Sequence, residues 1–164
     1  MDYTVEPSSS INVVLRNVTR EDSEVLLNWR NLPSVREFSK SPNEIEVATH
    51  EKWLLGRISN PLLNEFFFII EQAGSSAGTV RADLVREGVF EISIIVDSYY
   101  RGRGIAEEAI NLLLQQLKEK YPNSEILADV HKDNLASINL FKKLGFEEFG
   151  QVKKFRLFKK LMAR

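Results

Sequence analysis

Between residues 89 and 131 the sequence runs from a strand, through a turn with two glycines, into a long amphipathic helix and back into a strand. No other feature constrains the fold as much. Residues 89–96 and 126–131 are rich in apolar and β-branched types, the composition of half-buried strands. Between them Ala106, Ala109, Ile110, Leu113, Leu117 and Tyr121 recur at the helical period, which predicts a helix over 104–120. Glu107 and Glu108 at its start, and Lys118 and Lys120 at its end, suit the helix dipole, and Pro122-Asn123 breaks it. A strand that reaches the next strand through such a helix returns parallel to the first, by a right-handed crossover.

The flanking sequence adds antiparallel pieces. A first strand is predicted over 11–15, followed by a helix capped at Thr19 that carries Val25, Leu26 and Trp29 on one side. It ends near Asn31, ahead of Pro33. A helical turn over 34–38 and a helix over 50–58 follow. The continuous apolar run 66–70 reads as a strand covered on both faces. A turn at 74–76 leads to a strand over 79–85, and a tight loop at 86–88 returns the chain into 89–96. After 131 come a helix over 135–144, closed at Gly145, and two short strands near 146–149 and 155–161. The fold class is therefore α/β, with one mixed, mostly antiparallel sheet flanked by helices.

Composition narrows the chemistry. A chain of 164 residues with 43% hydrophobic content forms one domain with a self-sufficient core. The expectation is a single domain over 11–164, preceded by a flexible tail over 1–10. The absence of cysteine removes disulfides, thiolate metal sites and cysteine nucleophiles. Two histidines are too few for a histidine-rich metal site, so no metal is expected. No apolar run has the length of a membrane helix, and 1–10 lacks the pattern of a signal peptide, so a cytoplasmic protein without membrane contact is expected. The formal net charge is −1, which offers no general attraction to nucleic acid. From Lys142 onward eight basic residues face two acids, and this local excess reads as a solvated face.

The chemistry concentrates at the strand-to-helix turn. Ile94, Ile95 and Val96 end the strand, and Arg101, Gly102, Arg103 and Gly104 lead into the helix at Ile105 and Ala106. Glycines let the backbone approach an anion, and the free amides of a helix N-terminus point at it. The turn is a cradle for a pyrophosphate. It lacks the Gly-Lys-Ser/Thr of a P-loop and the third glycine of the dinucleotide fingerprint. On the turn alone, a purely geometric need for glycine explains the pattern equally well.

The wider pattern resembles the GNAT superfamily of acetyl-CoA-dependent N-acetyltransferases. Arg101, Gly104 and Ala106 match the family's Arg/Gln-x-x-Gly-x-Gly/Ala, with Tyr100 ahead of it. Downstream, Asn134 and Ser137, then Leu140-Phe141-Lys142-Lys143-Leu144-Gly145-Phe146, are similar to the second family signature. The resemblance covers about 11–161. It implies the GNAT fold, in which strands near 91–96 and 126–131 are parallel neighbours that splay apart. It further implies acetyl-CoA as co-substrate. Its pantetheine arm would meet the main chain of Ile94, Ile95 and Val96, its pyrophosphate the turn from Arg101 to Ala106. Asn134, Ser137 and Phe141 would lie on the other side. Acetyl transfer then needs a base for the amine and a donor for the oxyanion. Asp129, five residues before Asn134, is the first candidate base; Glu91 and His131 follow. Many members carry a tyrosine acid where this chain has Phe141, so Ser137, water or the substrate must protonate the thiolate, or it leaves unaided.

The acceptor side falls to the N-terminal helices and the hairpin. Trp29, Arg30, Asn31, Arg36, His50, Trp53 and Arg81 resemble the acceptor side of GNAT enzymes that acetylate nucleotide-linked amino-deoxy sugars, since arginines suit a diphosphate and an aromatic ring stacks on a base. The competing acceptors are the N-terminus of a ribosomal or other protein, and small amines. A different class, a non-catalytic acyl-CoA-binding module, is also consistent with Phe141. The assembly is expected to be a monomer or homodimer.

Overall fold

A computed structural model describes residues 11–162; the expected tail over 1–10 lies outside the described residues. Seven strands form one sheet in the order β1-β2-β3-β4-β5-β7-β6. β1 (Val13–Asn17), β2 (Phe67–Gln72), β3 (Ser75–Arg86) and β4 (Val89–Val96) make an antiparallel run. The helix α5 (Ile105–Lys120) carries the chain to β5 (Glu125–His131), which lies parallel to β4. β7 (Phe155–Leu161) pairs antiparallel with β5 and separates it from β6 (Glu147–Val152). Among the described residues the one parallel pair is the one the crossover dictates.

The sheet has two covered faces. On one, α5 and α6 (Leu135–Lys143) pack on Phe68, Ile70, Val80, Phe90, Ile92, Ile126, Ala128 and Phe158. Ile110, Leu113 and Leu117 are fully buried there, each contributing about 2 kcal/mol of apolar transfer. On the other face, α1 (Ser23–Arg30) and α3 (Val47–Ile58) cover Phe67 and Ile69 with Leu26, Trp29 and Leu54, and α2 (Pro33–Arg36) lies between them in sequence. The run 66–70 is thus buried on both sides, as its continuous apolarity requires.

Several boundaries move for local reasons. Thr19 opens a short 3-10 turn over Arg20–Asp22 before α1, because the buried Asp22 carboxylate accepts the Thr19 amide at 2.8 Å and two hydrogen bonds from Arg16, each 2.9 Å. A further helical turn, α4 (Pro61–Asn64), was not expected; Asn60 caps it by accepting the Leu62 amide at 3.0 Å. β3 starts at Ser75 because the turn needs only Ala73 and Gly74, both at positive φ. At Gly78 a Cβ would stand 2.3 Å from the Ile95 carbonyl oxygen, so only glycine lets β3 approach β4 there.

Candidate functional site

β4 and β5 pair only from Val89/Glu125 to Glu91/Leu127. Beyond that point β4 keeps its pairing with β3 to Val96, while β5 turns its remaining length to β7. A crevice therefore opens between the parallel strands. The Glu125 amide bonds the Gly88 oxygen, and the Asp97 amide bonds Ala77 in β3. By alternation along the strand, the amides and carbonyls of Ile94 and Val96 face the crevice. The Val96 carbonyl is met by the Arg101 Nε at 3.1 Å. Main-chain groups on an edge of this kind need partners, and an extended amide-bearing ligand supplies them.

At the end of β4 the chain makes the turn that the glycines announce. Gly102 has φ 76° and Gly104 has φ 77°, both left-handed. α5 then starts at Ile105, and its first amides have no partners within the helix. A Cβ at Gly102 would meet nothing within 4 Å, whereas one at Gly104 would stand 3.0 Å from Ile11 Cδ1. The Asp97 carboxylate fixes the start of the turn by accepting the Tyr99 amide at 2.9 Å and the Trp29 Nε1 at 2.8 Å. Arg103 lies over the Tyr99 and Tyr100 rings. An open, left-handed, amide-lined turn beside an unpaired strand edge fits a ligand with a pyrophosphate and an extended arm, which is the shape of acetyl-CoA. On the far side Asn134 caps α6, accepting the Ser137 amide at 3.2 Å.

The polar groups of the crevice stand on the face covered by α1–α3. Asp129 lies two residues beyond the last β4–β5 pair, so its carboxylate is at the mouth of the opening. Glu91 is its neighbour across the gap. Burial raises the Glu91 carboxyl above its ordinary value, the Asp129 charge adds to this, and Lys40 opposes it. The Lys40 ammonium forms an ion pair with Asp129 and lies 5.6 Å from the centre of the Phe155 ring. His131 shares the face of Asp129 but is packed between Phe38 and Phe155, and its Nδ1 accepts the Asp133 amide at 3.1 Å. One nitrogen of that ring is therefore committed to the local turn.

Two residues expected to meet an acceptor are buried instead. Trp29 is 3% exposed and spends its indole N–H on Asp97, and His50 is 4% exposed with Nε2 3.0 Å from the Ser23 oxygen. Three others hold the segment over 37–46. Arg30 donates to the Ser41 oxygen at 2.7 Å, Arg36 to the Pro42 oxygen at 2.9 Å, and Asn31 both donates to and accepts from Ile45 at 2.9 Å. Arg81 is paired with Asp83 at 3.0 Å. Trp53 is 40% exposed, with the Arg57 and Arg81 guanidiniums 5.3 and 5.6 Å from its ring, and packs edge-on against Phe67 of β2. Arg30 Nη1 is buried without a hydrogen-bond partner; burial and the charges of Arg81 and Arg36 hold this guanidinium below its ordinary value. Phe141, expected beside the cofactor, is 3% exposed and packs edge-on against Phe146.

Sequence reasoning missed Lys40, Ser34 and Asp97. Asp97 carried a signal, since an acid at a strand end before a turn is a natural cap. Lys40 and Ser34 carried none. Ser34 Oγ accepts from Arg101 at 3.3 Å, across 67 residues. Among the described residues no group of three or more histidine, aspartate or glutamate side chains could hold a metal ion, and no helix is long and apolar enough to cross a membrane.

Comparison with known proteins agrees with this geometry. An uncharacterized N-acetyltransferase of Methanocaldococcus jannaschii is 31% identical over 148 residues, 85% of this chain and 62% of that protein. An uncharacterized protein of the same archaeon is 26% identical over 143 residues, 83% of this chain, but the match spans only 28% of its length. The chain thus spans less than two thirds of either relative. A ribosomal L7/L12 alpha-N-protein acetyltransferase solved in complex with coenzyme A superposes with a TM-score of 0.79 at 14% identity, covering 95% of this chain and 97% of that one. The acetyltransferase (GNAT) domain family matches residues 12–147, and the chain belongs to that family.

Proposed function

We propose that the chain transfers the acetyl group of acetyl-CoA to a primary amine by direct attack in a ternary complex. The observation that carries this is the end of β4–β5 pairing at Glu91/Leu127, next to the left-handed turn at Gly102 and Gly104. The freed edge of β4 pairs with the pantetheine arm, and the amides from Gly102 to Ala106 hold the pyrophosphate. Asp129 takes the proton of the amine, with Glu91 the second candidate and His131 the third. The main-chain amide of Val96, or of its neighbour Ile94, donates to the oxyanion. Phe141 has no proton to give, so Ser137, water or the substrate protonates the thiolate, or it leaves unaided.

For the acceptor, the partnerless Arg30 Nη1 among Arg36 and Arg81, with the exposed Trp53 nearby, supports an anionic amine, as in a nucleotide-linked amino sugar. The ribosomal acetyltransferase superposition supports a second reading, a peptide N-terminus. A thiol-release assay over amino sugar nucleotides, peptides with free N-termini and small amines decides. Saturable release with a sugar nucleotide bears out the first, and release with peptides alone the second. Tight acetyl-CoA binding with no amine-dependent release would leave a binding module.

A further inference from the structure

The segment over 37–46 crosses from α2 to α3 and is tied down by the side chains of Arg30, Asn31 and Arg36, all bonded to its backbone. Phe38 adds a ring against His131. From this strap one charged side chain, Lys40, reaches Asp129 of β5, 89 residues away in sequence. Its ammonium sits on the carboxylate to which the acetyl-transfer reading assigns the proton of the acceptor amine. Lys40 is itself a primary amine on a flexible stem, paired with the candidate base. The Coulomb partner that holds it there is the group that would activate it.

We infer that Lys40 is an internal acceptor: in the presence of acetyl-CoA and the absence of a competing amine, the chain acetylates its own Lys40. The inference rests on the acetyl-transfer reading of the crevice. In the step, Asp129 takes a proton from the Lys40 ammonium and the neutral Nζ attacks the thioester carbonyl carbon. A C–N bond forms, the C–S bond breaks, and the sulfur departs as thiolate and is protonated. The sum converts lysine ammonium and acetyl-CoA into acetyl-lysine, free coenzyme A and one proton. The product has no charge with which to hold Asp129, so the carboxylate is released to serve an external amine.

The test incubates the full chain with acetyl-CoA alone and follows each lysine by peptide mass. Lys40 should gain an acetyl group on the order of a hundredfold faster than the exposed Lys153 and Lys154, because it is already in place. The rate constant should not depend on protein concentration, and Asp129→Asn should bring Lys40 down to the pace of the others. A second measurement omits acetyl-CoA. With an amine-reactive ester, Lys40 should label more slowly than Lys153, and Asp129→Asn should remove that protection. Calorimetry of acetyl-CoA binding separates the two ways of failing. Binding with Lys40 unmodified, or no faster than Lys153, overturns self-transfer while leaving the crevice reading in place. Absence of binding overturns both. Equal labelling of Lys40 and Lys153 by the ester removes the geometric basis of the inference.

Discussion

The two walls of the crevice are built in opposite ways. The wall at β4 and the following turn is main chain: an unpaired strand edge, two left-handed glycines and the first amides of α5, all from residues 91–106. The wall at Asp129 is side chain, and its members come from afar. Lys40 and Asp129 are 89 residues apart, and the strap that presents Lys40 is held by Arg30 of α1, by Asn31 just after it and by Arg36 of α2. Main chain carries the same groups whatever the side chains, so such a wall is specified by where glycine permits it. A side-chain wall needs the fold to bring separate segments together. Two residues join the walls: Trp29 reaches from α1 to Asp97, and Arg101 reaches from the turn to Ser34.

The largest effect should come from breaking the main-chain wall. Gly104→Val puts a β-branched side chain at φ 77° and drives a Cβ to 3.0 Å from Ile11. Acetyl-CoA affinity should fall about a thousandfold, roughly 4 kcal/mol, by calorimetry on a variant shown to be folded. Affinity near that of the unsubstituted chain would mean that the turn is not the cradle.

Asp129→Asn attacks the other wall. It should lower kcat for an external amine about a hundredfold, with KM changed less and acetyl-CoA affinity kept. Loss of acetyl-CoA affinity instead would show that the walls are not separable, and an unchanged rate would pass the base role to Glu91, His131 or water.

The smallest effect concerns Glu91, whose carboxyl is raised by burial and by Asp129. A group that holds its proton more tightly when folded stabilises the fold at low pH. That contribution disappears as pH climbs from the ordinary glutamate range through the raised folded value. Chemical denaturation of Glu91→Gln across this range should show a shallower decline than the unsubstituted chain. Parallel curves would mean that neither burial nor Asp129 raises the Glu91 carboxyl.

Much of the fold was legible because its signals are local. The period of 105–120, the strand runs at 89–96 and 126–131, and the glycines at 102 and 104 each carry their instruction within a few residues. The apolar run 66–70 announced burial on both faces. What the sequence did not show was the work that polar and aromatic residues of α1–α3 do within the fold. Trp29 and His50 are buried and brace the fold, since an indole N–H or imidazole nitrogen reads the same in sequence whether it meets a substrate or, as here, a carboxylate or a backbone carbonyl of its own chain. Arg30 and Arg36, read from sequence as acceptor-side arginines, also hold the strap's carbonyls, and one buried nitrogen of Arg30 is left over.

The sequence by itself determined the parallel crossover, the sheet around it and the anion-ready turn, because backbone geometry follows from residue type and spacing over short stretches. Only the tertiary structure decided which charges meet. That Lys40 lands on Asp129, that Arg81 is spent on Asp83, and that Glu91 is squeezed beside a second carboxylate all depend on which segments the closed sheet and its helices bring within a few ångströms. Coulomb and hydrogen-bond energies are set by those distances, and chain order does not encode them.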